Sequence, residues 1–527
     1  MNNTIAIIRS LIIYGLCLPL AIYIGYLLAN PADRIGLTVI VVACFLPLIP
    51  ALLRWHHLML IVSWNMSMVL FFVQGSPYLW MAMTAMSLTL TMLQHVLKRN
   101  VQFVSVRAVT LPLLFLAFVI LVTARLTGGI GLAAFGSESL GGKRYIQLFC
   151  AIAGFFAIAS HRIPPERVNL YGGLFFLSAL TSGIGSLAPW VPSNMRIIYA
   201  FFPVENLDLL NGPISTEFIR LGGLTIAAMG GICFILARHG MGGLFRLGAE
   251  PWRFLPLQFK GGMGINQPWR ILAFIAFTYV ALAGGYRSFT ITLILSFTFL
   301  FYLEGLIRTR LAPVILLASV LVAAVAIPFV DKLPLTIQRS LSFLPVNVSP
   351  MVKIDSEASS NWRIKIWEQV IPTIPQYLIL GKGYAIDAKE FQTVNTLAAA
   401  SGQQEGAGSM LAQDYHNGPL SLLIPLGIFG VIGFLWFLGA AIYVLVNNYR
   451  HGLPEHRQLN TFLLAHFLTK TVMFMAVYGS FQNDLAMFTG IVALSLSLNA
   501  GVRKPAVAPA KPNPAYLPFR LPKPARV

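Results

Sequence analysis

One histidine and three arginines carry the chemistry this sequence could perform. His416 lies in Asp414-Tyr415-His416-Asn417-Gly418-Pro419, directly before a long apolar run. Pro419 suits a first helical turn, and Asn417 or Gly418 suits its cap. The positive end of that helix dipole disfavours an imidazolium, so the ring is kept neutral, as a general base must be. Without a role in a reaction it is a surface or capping histidine. Arg220 (in Glu217-Phe218-Ile219-Arg220-Leu221-Gly222-Gly223) and Arg287 (in Gly284-Gly285-Tyr286-Arg287-Ser288) sit at the edges of apolar runs, and Arg363 follows Trp362 in a long connection. An arginine at a bilayer edge is costly unless it snorkels or is paired. Arg220 has a candidate partner in Glu217 three residues away. Together, these cations and one histidine on a single face suit an anionic ligand, and guanidinium can grip a pyrophosphate bidentately. Tyr415 and Asp414 flank the histidine. Lys470 and His466, one turn apart within a span, are intramembrane ionisable groups of the kind that lines a pathway or snorkels.

The elements that position these residues are membrane spans. The chain has 527 residues, 57% apolar and 10% charged, with a mean hydropathy of +0.74. Soluble domains carry about 25% charged residues, so an ordinary cytosolic enzyme is excluded, as is disorder. Hydropathy gives about fourteen candidate spans, with thirteen as the alternative: 7–29, 35–53, 57–74, 78–95, 107–124, 144–160, 168–187, 219–237, 271–286, 288–305, 312–330, 419–447, 459–479 and 482–499. The first is too long for a signal-peptide core and reads as an uncleaved span. No internal repeat is evident. The expected fold is an all-α polytopic membrane protein. It divides into spans 1–11 over residues 1–330, a large periplasmic loop over 331–418, spans 12–14 over 419–500, and a disordered basic tail over 501–527.

Within the large loop, 361–378 reads as an amphipathic helix interrupted by Pro372 and Pro375. Residues 387–400 read as a second short helix, and 401–409 as a mobile Gly-rich link. The four cysteines lie in apolar runs and read as buried small hydrophobes. No Asp-x-Asp, His-x-x-x-His or cysteine pair suggests a metal, and no nucleotide-binding glycine motif is present, so neither metal nor cofactor is expected. The formal net charge is +19. Sorting the connections puts about 22 Lys and Arg against about 4 acids on one side, which is cytoplasmic by the positive-inside rule and holds both termini. The excess that would suggest nucleic acid in a soluble protein is therefore a topology signal.

An ordered set of motifs gives these residues a wider context. Arg220-Leu221-Gly222-Gly223 opens a middle span and Gly285-Tyr286-Arg287-Ser288 joins two later ones. Arg363-x-x-x-Trp367 leads to Gly381-Lys382-Gly383-Tyr384. His416-Asn417 then enters a span continuing Pro425-Leu426-Gly427-Ile428-Phe429-Gly430. Over roughly residues 200–450 this order resembles the O-antigen ligase and O-antigen polymerase superfamily of bacterial envelope glycosyltransferases. Tyr286 and Gly418-Pro419 depart from its commoner residues. The resemblance implies a C-type membrane glycosyltransferase fold in the bacterial inner membrane with a periplasmic active site. It also implies metal-free, inverting transfer of a polyprenyl-pyrophosphate-linked glycan to an acceptor hydroxyl. By motif, His416 would be the base, with Arg220, Arg287 and Arg363 on the pyrophosphate. Tyr415, Asp414 and Lys470 would be secondary. The acceptor stays open: a lipid A core for a ligase, another lipid-linked repeat for a polymerase, or a protein serine for an oligosaccharyltransferase. A lipid-linked sugar flippase or an envelope scaffold is the alternative from other classes. A flippase calls for repeat symmetry or charge along several spans, and midspan charge here is nearly limited to Lys470.

Overall fold

The computed structural model describes residues 49–97 except 74, 104, 106–128, 142–204, 220–245, 266–385 and 413–505. The two first expected spans up to residue 48, the expected short helix 387–400, the Gly-rich link 401–409, Glu217 and the tail beyond 505 lie outside these residues. Among the described residues the regular structure is helical, with one isolated antiparallel bridge, Val69 to Tyr78. The helices are α1 (Ile49–Ser63), α2 (Leu79–Leu97), α3 (Arg107–Thr127), α4 (Gly142–Ala159), α5 (Val168–Leu177, carried on in short turns to Ser186), α6 (Gly222–Phe245) and α7 (Asn266–Ala283). They continue with α8 (Arg287–Leu303), α9 (Leu311–Ala326), α10 (Leu335–Leu341), α11 (Pro350–Val370), α12 (Gly418–His451), α13 (Arg457–Val472) and α14 (Phe481–Asn499).

Among the described residues six helical stretches are long and apolar enough to cross a membrane, including Gly222–Leu244, Gly418–His451 and Phe481–Asn499, and three shorter ones are apolar. The chain is a polytopic α-helical membrane protein. α14 is its innermost helix: Ile491 through Leu494 are fully buried, and it packs on α4, α12 and α13. Outward faces such as Phe118, Leu121, Val322 and Trp436 are apolar and exposed, as lipid-facing surfaces are. The third expected span, 57–74, is not continuous. α1 ends at Ser63 and the chain turns, because Asn65 donates its Nδ2 to the Phe175 carbonyl at 2.7 Å and Ser76 takes a positive φ of 43° before Pro77.

A broken helix determines how the loop region meets the bundle. α12 contains Pro425, and at Gly427 the backbone leaves helical geometry with φ 65°. Proline lacks an N–H and disrupts the preceding turn, and the break at Gly427 turns Ile428 N away from Ile424 O, so the Ile424 and Pro425 carbonyls lose their helical donors. The Gly381-Lys382-Gly383 segment replaces them. Lys382 N donates to Ile424 O at 2.7 Å and Gly383 N to Pro425 O at 2.9 Å, while Ile428 N donates back to Leu378 O at 2.7 Å. Gly381 and Gly383 both hold φ above 70°, and a Cβ on Gly381 would clash with the Pro425 carbonyl oxygen. Tyr384 then enters the core against Tyr145, whose hydroxyl accepts from Tyr384 N at 2.8 Å.

The interlock predicts a sharp contrast within one family of substitutions. Gly381→Ala or Gly427→Ala should destabilise the detergent-solubilised protein by about 1–3 kcal/mol or more, from strain and clash. Gly439→Ala in α12, where a Cβ meets nothing within 4 Å, should be neutral or slightly stabilising. Thermal unfolding of the three variants side by side checks this, and equal melting temperatures would refute the interlock.

Candidate functional site

One end of the bundle gathers the ionisable residues around a cavity of about 1580 Å³. Its walls come from α6, α8, α10, α11, the His416 loop and the α13–α14 turn. Arg220, Arg287, Arg339 and Arg363 all line it, with Asp355, His416, Lys470, His466 and Asp484. Arg238, Arg270, Arg308, Arg450 and Arg457 lie toward the far ends of α6, α7, α8, α12 and α13.

The framework of the mouth is an ion-pair network. Asp355, on the cavity face of α11, accepts from Arg220 Nη2 at 2.8 Å through one oxygen and from Arg339 Nε through the other. Arg339 is nearly buried and its Nη1 donates to the Gly285 carbonyl at 2.5 Å. Gly285 has φ 82°, a conformation open to glycine, and forms the turn from which Arg287 begins α8. Burial alone would raise the Asp355 carboxyl. The hydrogen bond from Arg339 and the charges of Arg339 and Arg220 outweigh it and hold the group below its ordinary value. Glu217, the partner expected for Arg220, lies outside the described residues, and the partner seen is Asp355.

Two further arginines, Arg287 and Arg363, face the cavity. Arg287 donates Nη1 to Ser360 at 3.2 Å and, among the described residues, has no carboxylate partner. Arg363 is on the same helix, and its buried Nε has no hydrogen-bond partner. Burial and the nearby charges of Arg339 and Arg220 disfavour its charged form, against the smaller opposing effect of Tyr478 and Asp414. An anion in the cavity would relieve this.

His416 stands at the start of α12. Asn417 is the N-cap, accepting from Leu420 N at 3.1 Å, and Pro419 follows in the first turn, as its sequence signals. The ring Nδ1 lies 3.1 Å from the Asp414 backbone carbonyl and 3.4 Å from the Asp414 carboxylate. A carbonyl only accepts, so Nδ1 carries a proton, and in the neutral ring Nε2 then presents the lone pair. Asp414 is thus the residue that sets the tautomer. Tyr415 points the other way: it is buried with Ile366, Val370, Leu420 and Ile424, and its carbonyl accepts from Trp367 Nε1 at 2.8 Å. It fastens α11 beneath the histidine and does not line the cavity. Lys470 does line it, seven residues before the end of its helical stretch at Val477, or about 10 Å deeper by helical rise.

Sequence reasoning missed Arg339, Asp355 and Tyr478. Arg339 and Asp355 lie in a part of the loop with no recognised motif, and α11 begins at Pro350, eleven residues before the expected helix. Ser349-Pro350 is its start signal: the Ser349 side chain accepts from Val352 N at 3.4 Å and proline occupies the first turn.

The Asp355 network makes a pH prediction. A carboxyl held below its unfolded value adds stability that is complete above the ordinary carboxylate range, near 4, and is lost as pH falls through the lowered value. Above pH about 5, Asp355→Asn should melt below the parent, and the gap should close as pH falls through the carboxylate range. A gap independent of pH would show that the Asp355 charge is not what braces the two arginines.

Residues 272–435 match the family described as O-Antigen ligase. The match runs from α7 into α12 and takes in Arg287, Arg339, Asp355, Arg363 and His416, while Arg220, Lys470 and Tyr478 lie beyond it. No curated protein matches the chain. Over residues 272–435, about a third of its length, this polytopic membrane protein is thus similar to the O-antigen ligase family, which supports its resemblance to the O-antigen ligase and polymerase superfamily.

Proposed function

We propose that the protein transfers a glycan from a polyprenyl-pyrophosphate carrier to an acceptor hydroxyl on the periplasmic face of the bacterial inner membrane. The observation that carries this reading is the convergence on one large cavity of His416 with two arginines, Arg287 and Arg363, that have no carboxylate partner among the described residues. About 1580 Å³ exceeds the few hundred to 1,000 Å³ of a small-molecule pocket and suits an extended lipid-linked saccharide. The proposed topology has fourteen spans, both termini cytoplasmic, and residues 331–418 outside.

His416 Nε2 takes the proton of the acceptor hydroxyl as its oxygen attacks the anomeric carbon. The bond from that carbon to the pyrophosphate oxygen breaks on the opposite face, so the configuration inverts. Charge grows on the departing pyrophosphate, and the cations it meets are already in place, which is how electrostatic preorganisation lowers a barrier. Arg287 and Arg363 grip it, while Arg220 keeps one edge on Asp355 and offers the other. The leaving group is a good one, so no strong general acid is needed. Asp414 stabilises the imidazolium that forms.

In an assay with a purified polyprenyl-pyrophosphate glycan and an acceptor, in detergent with EDTA present, the parent protein should be active. His416→Ala should lose about 10²- to 10⁴-fold in kcat. Arg287→Ala should lose about 10²-fold in kcat/KM. Full activity of either variant, with normal membrane insertion, would sink the assignment of that residue, and loss of parent activity in EDTA would sink the metal-free step.

A further inference from the structure

His416 is held from several sides, and one hydrogen bond does not account for its pose. The residue takes a left-handed φ of 51°, as does Gln413 at 50°, which is uncommon outside glycine. The Nδ1 contact to the Asp414 carbonyl at 3.1 Å pins one atom of the ring and leaves its plane to be set by something else. Two aromatic rings from separate elements supply that constraint. Trp362, on α11, meets the imidazole at 5.0 Å between centroids with planes 86° apart, and Tyr478, in the α13–α14 turn, meets it at 5.2 Å and 81°. Both also line the cavity.

Each ring is placed with some care. Tyr478 follows a π-helical turn, Met473–Val477, closed by Tyr478 N donating to Met473 O at 2.8 Å. Such turns are rare and recur at functional sites. Trp362 is carried by the helix that Asp355 and Trp367 fasten at either side of it. Its buried indole Nε1 has no hydrogen-bond partner, a cost that a ring kept only for packing would not incur if it were phenylalanine.

We infer that Trp362 and Tyr478 are positioning residues, an aromatic clamp that holds the His416 imidazole in the plane that presents Nε2 to the cavity. The inference rests on His416 as the base. A general base has to reach its proton within a narrow distance and angle, and a displacement of about 1 Å can cost about 10²-fold in rate. The clamp also couples the large loop to the bundle, since α11 and the α13–α14 turn each present one ring to the same histidine.

The test uses the full chain in detergent, with glycan transfer and diethylpyrocarbonate labelling of His416, read by peptide mass spectrometry, measured on the same samples. Trp362→Leu and Tyr478→Leu should each lower kcat by about 10- to 100-fold, with KM changing by less than about twofold, and should make His416 label several times faster. Tyr478→Phe keeps the ring and should retain kcat within about threefold of the parent. Unchanged kcat and labelling in both Leu variants would overturn the clamp even where His416→Ala is inactive. A Tyr478→Phe defect as deep as that of Tyr478→Leu would overturn it too, because the hydroxyl and not the ring would then be at work. Full activity of His416→Ala would instead remove the base assignment, and labelling rates alone would then decide whether the rings hold the imidazole. If one Leu variant fails to fold, as its melting temperature would show, the other Leu variant and Tyr478→Phe decide.

Discussion

The carboxylate of Asp355 is the contact on which the site depends. Cations that converge on one cavity repel one another, and partial burial strips them of water that would screen the repulsion. Asp355 meets two of them at once, Arg220 at 2.8 Å on one oxygen and Arg339 on the other. That single acid ties the start of α6 to α10 and α11, and through the Arg339 bond to Gly285 it reaches the turn before α8. Arg287 is delivered from this braced turn and Arg363 from the braced helix. Neutralising every cation would have made a quieter structure with nothing left for a ligand. Asp355 spends its charge on Arg220 and Arg339, and Arg287 and Arg363 add positive potential at the mouth, with Lys470 deeper in the cavity.

The same division explains why some of the site could be read from the sequence and some could not. His416, Arg220, Arg287 and Arg363 stand next to span boundaries or in short motifs, where local pattern carries information, and all four reach the cavity. So does Lys470, conspicuous as a cation in an apolar run. Asp355 and Arg339 have no such local mark. Their meaning is their contact with each other and with Arg220, which is 135 residues from Asp355, and a pairing of that range is not encoded in spacing. Tyr415 shows the reverse error. Adjacent to the histidine in sequence, it points into a small core with Ile366 and Leu420, in a segment where Gln413 and His416 both take left-handed backbone.

Helical content was legible because apolar run length is a strong signal, and most expected spans coincide with helices within a few residues. Breaks inside spans were less so. The 57–74 segment is apolar enough to span, yet Asn65 and the Gly75-Ser76-Pro77 turn end its helix early. Hydropathy averages over such residues. Pro425 and Gly427 were visible as part of a motif, but their consequence depends on a second segment. The carbonyls freed by the break at α12 accept from Lys382 and Gly383, so Gly-Lys-Gly in the loop and Pro-Leu-Gly in the span form one structural unit divided between two places in the chain.

That unit gives the loop-to-bundle junction its rigidity, and rigidity there matters for the histidine. α11 approaches the cavity mouth from the loop, and His416 begins the span that the loop docks against. The docking at Ile424 and Pro425 lies only two turns below Asn417, which caps that span. Any slippage of the loop against α12 would move Trp362 relative to His416. Backbone hydrogen bonds made in a low-dielectric setting resist such slippage, because breaking one leaves buried polar groups unpaired. The Asp355 brace and the Trp367 bond to the Tyr415 carbonyl attach α11 at two separate heights, and the interlock fixes the chain that follows it. A helix held in this way can present a carboxylate, an arginine and an aromatic ring to one cavity in constant register, which is what electrostatic preorganisation requires.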